Sequence, residues 1–173
     1  GCDCSGRPPV SVPRVLIPSK KRLTACISSQ VGCSLSCTFC ATGTLKLERN
    51  LNYAEIYDQI FILNEEALLN FGKPLSNIVY MGMGEPLLNY ENLLKSIELV
   101  SSKTGLSMSP KRITVSTAGI AKMIKKLADD GVRFNLAISL HTSDDKKREE
   151  IMPINKSINL EELKESIKYF FEK

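Results

Sequence analysis

The chain has 173 residues, of which 43% are hydrophobic and 24% charged, a composition that fits one sizeable core and is too short for several domains. No apolar run reaches the ~18–20 residues that a membrane-spanning helix needs. Residues 1–18 also lack the apolar segment of a secretory signal. We therefore expect a cytoplasmic protein that has no membrane partner.

The 23 Lys and Arg outnumber the 19 Asp and Glu, and the excess is uneven. Residues 1–50 carry a net charge of +5, whereas residues 51–173 carry −1. The densest basic run is Lys20-Lys21-Arg22. Such a run permits a polyanionic partner, although a solvated surface is the more common explanation.

Residues 1–14 contain no apolar periodicity, so we expect an unplaced or disordered start. Short apolar strands and amphipathic helices alternate after it. The predicted strands are Thr24–Ser28, Asn77–Met81, Arg112–Ser116 and Asn135–Ser139. The predicted helices are Asn52–Leu69 with Glu55 completing a capping box, Tyr90–Ser102, Ile120–Asp129, Asp144–Glu150, and Leu160–Phe171 behind the cap Asn159.

Strands that are separated by helices imply βαβ crossovers, and therefore an α/β fold with a parallel sheet. Such sheets bind ligands at the carboxyl ends of their strands. Polar or glycine-rich segments follow all four predicted strands: the cysteines, then Gly-Met-Gly-Glu-Pro, Ser-Thr-Ala-Gly and Ser-Leu-His. The sequence therefore predicts a single site at this edge of the sheet.

All six cysteines lie in the first 40 residues, so they cannot form a disulfide framework for the whole fold. Cys33, Cys37 and Cys40 form a CxxxCxxC motif whose thiolates can converge on one inorganic centre. Structural zinc sites use four nitrogen or sulfur ligands, typically in CxxC pairs, whereas a 4Fe–4S cluster on three cysteines keeps one iron open. Cys26 lies in a strand pattern that favours a small buried side chain. Cys2 and Cys4 receive no role.

The CxxxCxxC motif, with Phe39 before its last cysteine, resembles the radical S-adenosylmethionine superfamily. The ordered set SSQVGCSLSCTFCATG, MGMGEPLLN, KRITVSTAGI, LAISLH and IMPINK is similar, more narrowly, to the RNA methyltransferases of dual specificity that methylate carbon 2 of adenine (the RlmN family) and to their Cfr relatives. The match implies a radical S-adenosylmethionine core domain over residues 15–173. Its fold would be a partial (βα) barrel of the TIM type with about four βα units.

The resemblance implies that Cys33, Cys37 and Cys40 ligate a 4Fe–4S cluster whose open iron is chelated by S-adenosylmethionine. It implies that a carboxylate and backbone groups of Gly84-Glu85 receive the methionine ammonium, although a tight turn before a helix also explains this segment. The remaining cofactor contacts would come from Ser116, Ser139, Leu140 and His141. Gln30 and Asn155 lie in matching segments and receive no role.

The implied substrates are an adenosine in 23S ribosomal RNA of the large subunit and an adenosine in tRNA, with flavodoxin or ferredoxin as the electron donor. The family's chemistry also uses a downstream methyl-carrying cysteine and a resolving cysteine. No cysteine follows Cys40, and Cys26 is the candidate for the resolving role. We therefore assign no catalytic residue, and we expect a core domain that is incomplete at its C-terminus and inactive on RNA by itself.

Two alternatives remain open at this point. One is another radical S-adenosylmethionine enzyme on the same barrel, such as a ribosomal RNA methyltransferase directed to carbon 8. The other is a zinc-dependent nucleic-acid-binding module without catalysis, which the clustered cysteines and basic start would permit. An aromatic content of 6% offers little surface for base stacking and disfavours the second alternative. The sequence leaves the oligomeric state open.

Overall fold

A computed structural model of the protein describes residues 12–173. The strands are β1 (Val15–Pro18), β2 (Leu23–Cys26), β3 (Gln30–Val31), β4 (Arg49–Asn50), β5 (Asn77–Tyr80), β6 (Ile113–Thr117) and β7 (Asn135–Ile138). The helices are α1 (Tyr53–Phe71), α2 (Tyr90–Ser101), α3 (Ala121–Asp129), α4 (Asp145–Ile151) and α5 (Leu160–Glu172). Within residues 12–173, no helix is long and apolar enough to span a membrane. Of the predicted unplaced start, residues 1–11 lie outside the described residues.

The main sheet has the strand order β1-β2-β5-β6-β7. Strands β2, β5, β6 and β7 are mutually parallel, and a helix follows each of them along the chain. These four βα units confirm the predicted α/β fold. Because parallel strands end at the same edge of a sheet, the loops that follow them meet there.

Three short strands were not predicted from the sequence. β1 pairs antiparallel with β2 at the edge of the main sheet. Pro18, at the end of β1, has no backbone N–H to donate, and an edge strand tolerates this because it has only one neighbouring strand. β3 and β4 form a separate antiparallel ladder in which Gln30 pairs with Asn50 and Val31 with Arg49. This ladder closes the base of the loop that carries Cys33, Cys37 and Cys40.

Side chains alternate between the two faces of the sheet. Ala25, Ile78 and Ile113 are neighbours in register and are 0% exposed, because they pack in the core with helices such as α1 and α2. The opposite face includes Cys26 and its register neighbour Val79, and both are only partly buried. The prediction of a buried Cys26 was therefore wrong, because its strand position directs it to the less covered face.

The helix ends follow their capping residues. The Asn52 side chain accepts a hydrogen bond from the Glu55 backbone, and the Glu55 side chain accepts one from the Asn52 backbone, which confirms the predicted capping box. Asn159 caps α5 by accepting from the backbone N–H of Glu162. Asp144, which was predicted as the first helical residue of α4, is the N-cap of that helix instead.

Candidate functional site

The cysteine loop comprises residues 32–48 between β3 and β4. The backbone N–H of Cys40 donates to the carbonyl of Cys37, and the N–H of Gly43 donates to the carbonyl of Cys40. A Cβ on Gly43 would lie 2.3 Å from the Cys37 carbonyl oxygen, so this turn requires glycine. Cys33, Cys37 and Cys40 are all free thiols and partly buried.

The pKa values of the Cys33 and Cys37 thiols respond to negative charge at other cysteines of the loop. Burial raises the pKa of the Cys33 and Cys37 thiols, and the negative charges of the neighbouring cysteines raise it further. Within residues 12–173, no three His, Cys, Asp or Glu side chains converge closely enough to hold a single metal ion.

Glu85 connects the loops that follow β5 and β6. Its carboxylate is 3% exposed and accepts hydrogen bonds from the backbone N–H groups of Ala118, at 2.7 Å, and Leu87, at 3.1 Å. Burial raises the pKa of Glu85, and these bonds act in the opposite direction. The protein's own backbone thus already engages the carboxylate, so the ammonium contact predicted for it would use its remaining lone pairs.

Gly84 and Gln30 fix the backbone beside this carboxylate. Gly84 has a φ of +99°, and a Cβ there would lie 2.5 Å from the Gln30 Cβ. The Gln30 side chain accepts from the Glu85 N–H at 2.8 Å and donates to Asn50 at 2.7 Å. Gln30 therefore joins the short ladder under the cysteine loop to the Gly84-Glu85 turn.

The carboxyl end of β6 and the loop after β7 contribute polar and aromatic groups. The hydroxyl oxygens of Ser116 and Ser139 lie 3.4 Å apart. His141 has a φ of +61°, and its ring lies 4.0 Å, centroid to centroid, from the ring of Phe39 in the cysteine loop. This ring contact joins the cysteine loop to the end of β7.

A cavity of about 310 Å³ lies where these loops meet. Its lining includes eight of the nine residues predicted for the site, namely Cys33, Cys37, Cys40, Gly84, Glu85, Ser116, Ser139 and His141. Leu140 is 46% exposed and does not line the cavity. The volume lies within the range of small-molecule sites, and apolar side chains including Leu35, Met81 and Met152 complete the wall.

Sequence reasoning assigned no role to Arg148 and Asn155, which the structure places beside this cavity's loops. Each is 1% exposed. The Arg148 guanidinium donates to the Ala118 carbonyl and to the Asn155 side chain, both at 2.6 Å, and Asn155 donates to Asp145 at 2.8 Å. Arg148 lies within a charged segment, DDKKREE, whose pattern is typical of an exposed helix.

A parallel α/β sheet, a three-cysteine loop after its first parallel strand and a cavity at the strands' carboxyl ends together define a radical S-adenosylmethionine core. The model of the radical SAM superfamily matches residues 27–173, and the chain belongs to this superfamily. A crystal structure of a radical SAM methyltransferase from Sphaerobacter thermophilus superposes with a TM-score of 0.89 at 37% identity, covering 92% of this chain and 46% of that one.

More closely similar sequences carry a more specific description. The chain is 58% identical over 162 residues to the probable dual-specificity RNA methyltransferase RlmN of Flavobacterium psychrophilum, covering 94% of this chain and 47% of that protein. It is 60% identical over 156 residues to the protein of the same description from Cytophaga hutchinsonii, covering 90% of this chain and 43% of that protein. The chain thus spans about half the length of these relatives, and the resemblance predicted from its motifs is confirmed.

Proposed function

We propose that this chain is the cofactor-binding core of an RNA methyltransferase that methylates carbon 2 of an adenosine in 23S ribosomal RNA and in tRNA. The observation that carries the proposal is that the cysteine loop and the carboxyl ends of β5, β6 and β7 all line one cavity. The identity of 47–60% to proteins described as RlmN supports the choice of RNA as substrate.

In this proposal Cys33, Cys37 and Cys40 hold a 4Fe–4S cluster. The donor set fits, because three free thiols on one loop beside the cavity would leave one iron of such a cluster without a protein ligand. When bound, such a cluster supplies the single electron for reductive cleavage of S-adenosylmethionine. The loop's own contribution is to fix the thiols, through the close approach of Gly43 to Cys37.

The other lining residues would bind and orient S-adenosylmethionine. Gly84 and Glu85 offer backbone carbonyls and a buried negative charge to the methionine ammonium. The hydroxyls of Ser116 and Ser139 can donate to its carboxylate oxygens, and they can donate to or accept from its ribose hydroxyls. The His141 ring, held by Phe39, lies at the same cavity. Since the Leu140 side chain is exposed, Leu140 would contribute through its backbone.

We also propose a domain assignment, an electron donor and a cellular compartment for the reaction. Residues 15–173 would form the core domain. Flavodoxin or ferredoxin would deliver the electron in the cytoplasm, where reduced thiols persist. We infer no membrane partner from the composition of the chain.

Two assays test the proposal. The anaerobically reconstituted chain, incubated with dithionite and S-adenosylmethionine, should release 5′-deoxyadenosine, and a Cys37→Ser variant should not.

For RNA specificity, residues 15–173 can replace the matching segment of the Flavobacterium psychrophilum protein. The chimaera should produce 2-methyladenosine in ribosomal RNA and tRNA, identified by chromatography and mass spectrometry of the nucleosides. The appearance of 8-methyladenosine instead would favour a methyltransferase directed to carbon 8. A chimaera that methylates neither RNA, while the unaltered Flavobacterium psychrophilum protein methylates both, would contradict the proposal.

A further inference from the structure

Arg148 is a buried cation with an unusual set of partners. Its side chain is 1% exposed, and it donates to the carbonyls of Ala118, Ser139 and Leu140 and to the side-chain oxygen of Asn155. None of the ion pairs found among residues 12–173 includes Arg148. Backbone carbonyls and the Asn155 side-chain oxygen thus accept the hydrogen bonds of the guanidinium, whereas no carboxylate among residues 12–173 forms an ion pair with it.

A buried charge is costly unless an opposite charge lies nearby. Asp145, on the same helix, is the nearest carboxylate in sequence, but it accepts from the Asn155 side chain and the Leu160 N–H and forms no ion pair with Arg148. The helix that carries Arg148 is also joined to the cysteine loop, since the Thr38 N–H donates at 3.0 Å to the carbonyl of Ile151. Ala118 and Ser139, whose carbonyls accept from Arg148, line the same cavity as the three cysteines, so Arg148 is placed to compensate negative charge at that cavity.

The hydrogen bonds of Arg148 also connect two loops that line the cavity. Ala118 follows β6, whereas Ser139 and Leu140 follow β7. The same Ala118 residue donates its N–H to Glu85 at 2.7 Å, so one continuous path joins Arg148 to the turn after β5. A guanidinium fork can hold several acceptors at once in fixed directions, which a lysine ammonium on a flexible stem does not reproduce.

We propose that Arg148 is a positioning residue with two separable effects on the proposed cofactor site. Its fork holds the loops after β6 and β7 in the geometry that binds S-adenosylmethionine, and its fixed charge stabilises the additional negative charge of the reduced cluster. Both effects rest on the proposed function. Net charge and hydrogen bonding around a cluster are established determinants of its reduction potential.

The test compares Arg148→Lys, which keeps the charge and loses the fork, with Arg148→Gln, which loses the charge. Each chain is reconstituted anaerobically, its cluster is titrated with dithionite and followed by electron paramagnetic resonance, and its affinity for S-adenosylmethionine is measured by equilibrium dialysis. The matched control is Arg133→Gln, because Arg133 is exposed and also lies among residues 12–173. Thermal unfolding of each variant reports its stability independently.

We expect Arg148→Gln to lower the reduced-to-oxidised ratio about tenfold at a fixed potential, a shift of ~59 mV to more negative values for a one-electron couple. Arg148→Lys should keep the wild-type potential and bind S-adenosylmethionine at least tenfold more weakly. The Arg133→Gln control should change neither quantity. If the glutamine variant does not fold, Arg148→Met, which also removes the charge, replaces it in the measurement of the potential, and Arg148→Lys still tests the effect of the fork.

A wild-type potential in Arg148→Gln would overturn the proposal, whatever its affinity for S-adenosylmethionine. So would a lysine variant whose affinity is unchanged or whose potential moves as far as that of the glutamine variant. Failure of both variants to fold would make Arg148 a purely structural residue. Failure of the wild-type chain to take up any cluster would overturn the proposed function as well, so the two failures are distinguishable.

Discussion

The carboxylate of Glu85 provides the most direct test of how the strand-end loops are held together. It accepts from two backbone N–H groups, those of Ala118 and Leu87, and it is 3% exposed. Glu85→Gln keeps the shape of the side chain but leaves one acceptor oxygen in place of two. One buried backbone N–H would then face the amide NH₂ and lose its partner.

Leaving a buried donor unpaired costs about 1–3 kcal/mol. The two bonds to a charged acceptor would each be worth ~1.5–3 kcal/mol, but the cost of burying the charge, which raises the pKa of Glu85, offsets part of that gain. We therefore expect the variant to lose about 1–3 kcal/mol of unfolding free energy. For a chain of this size that corresponds to a fall in Tm of roughly 2–12 °C.

Urea denaturation followed by circular dichroism measures this loss. The matched control is Glu98→Gln, an exposed position on α2 at which a change within about 0.5 kcal/mol is expected. A Glu85→Gln chain as stable as wild type would refute the reasoning, because it would mean that the carboxylate does not hold both backbone groups. Equal losses in the two variants would refute it too.

Three further changes test other parts of the structure. Gly43→Ala should reduce cluster uptake, measured as bound iron and sulfide, because its Cβ would meet the Cys37 carbonyl at 2.3 Å, whereas Gly72→Ala, with no atom within 4 Å, should leave uptake unchanged. Leu93→Ala, at a 0% exposed core position, should cost about 2–5 kcal/mol in urea denaturation, and a cost under 1 kcal/mol would contradict the core packing. Hydrogen bonds from the Asn155 side chain and the Leu160 N–H lower the pKa of the Asp145 carboxyl from its ordinary value. The ionised carboxylate therefore stabilises the fold at a pH above the unfolded-state pKa, and this stabilisation is lost as the pH falls through the lower pKa of the folded state. Asp145→Asn should therefore be less stable than wild type at pH 6 and approach it in acid, and a Tm difference that stays constant with pH would contradict this.

Local patterns in the sequence predicted much of the fold. The apolar spacing of α1 together with Asn52 and Glu55 located that helix, because capping residues and helical periodicity are local signals. The four parallel strands were located to within one or two residues, and their succession implied that the segments following them converge. Cys33 and His141, 108 positions apart, could thus be assigned to one edge of the sheet before any contact was known.

The remaining features depend on tertiary placement. β3 and β4 have two residues each, too few for any periodicity to appear. The burial of Arg148 follows from how α4 packs beneath the loops after β6 and β7, which a charged heptapeptide does not reveal. Likewise, the alternation in β2 shows that Cys26 and Ala25 face opposite ways, but it does not show which face the helices cover.

The central claim is that Cys33, Cys37 and Cys40 bind a 4Fe–4S cluster at the cavity shared by the strand-end loops. Its most direct test is the iron and acid-labile sulfide content of the anaerobically reconstituted chain, compared with the Cys37→Ser and Cys26→Ser variants. The account predicts about four iron and four sulfide per chain for wild type and for Cys26→Ser, and a large loss for Cys37→Ser. Bound zinc without sulfide, or equal cluster content in all three chains, would contradict it.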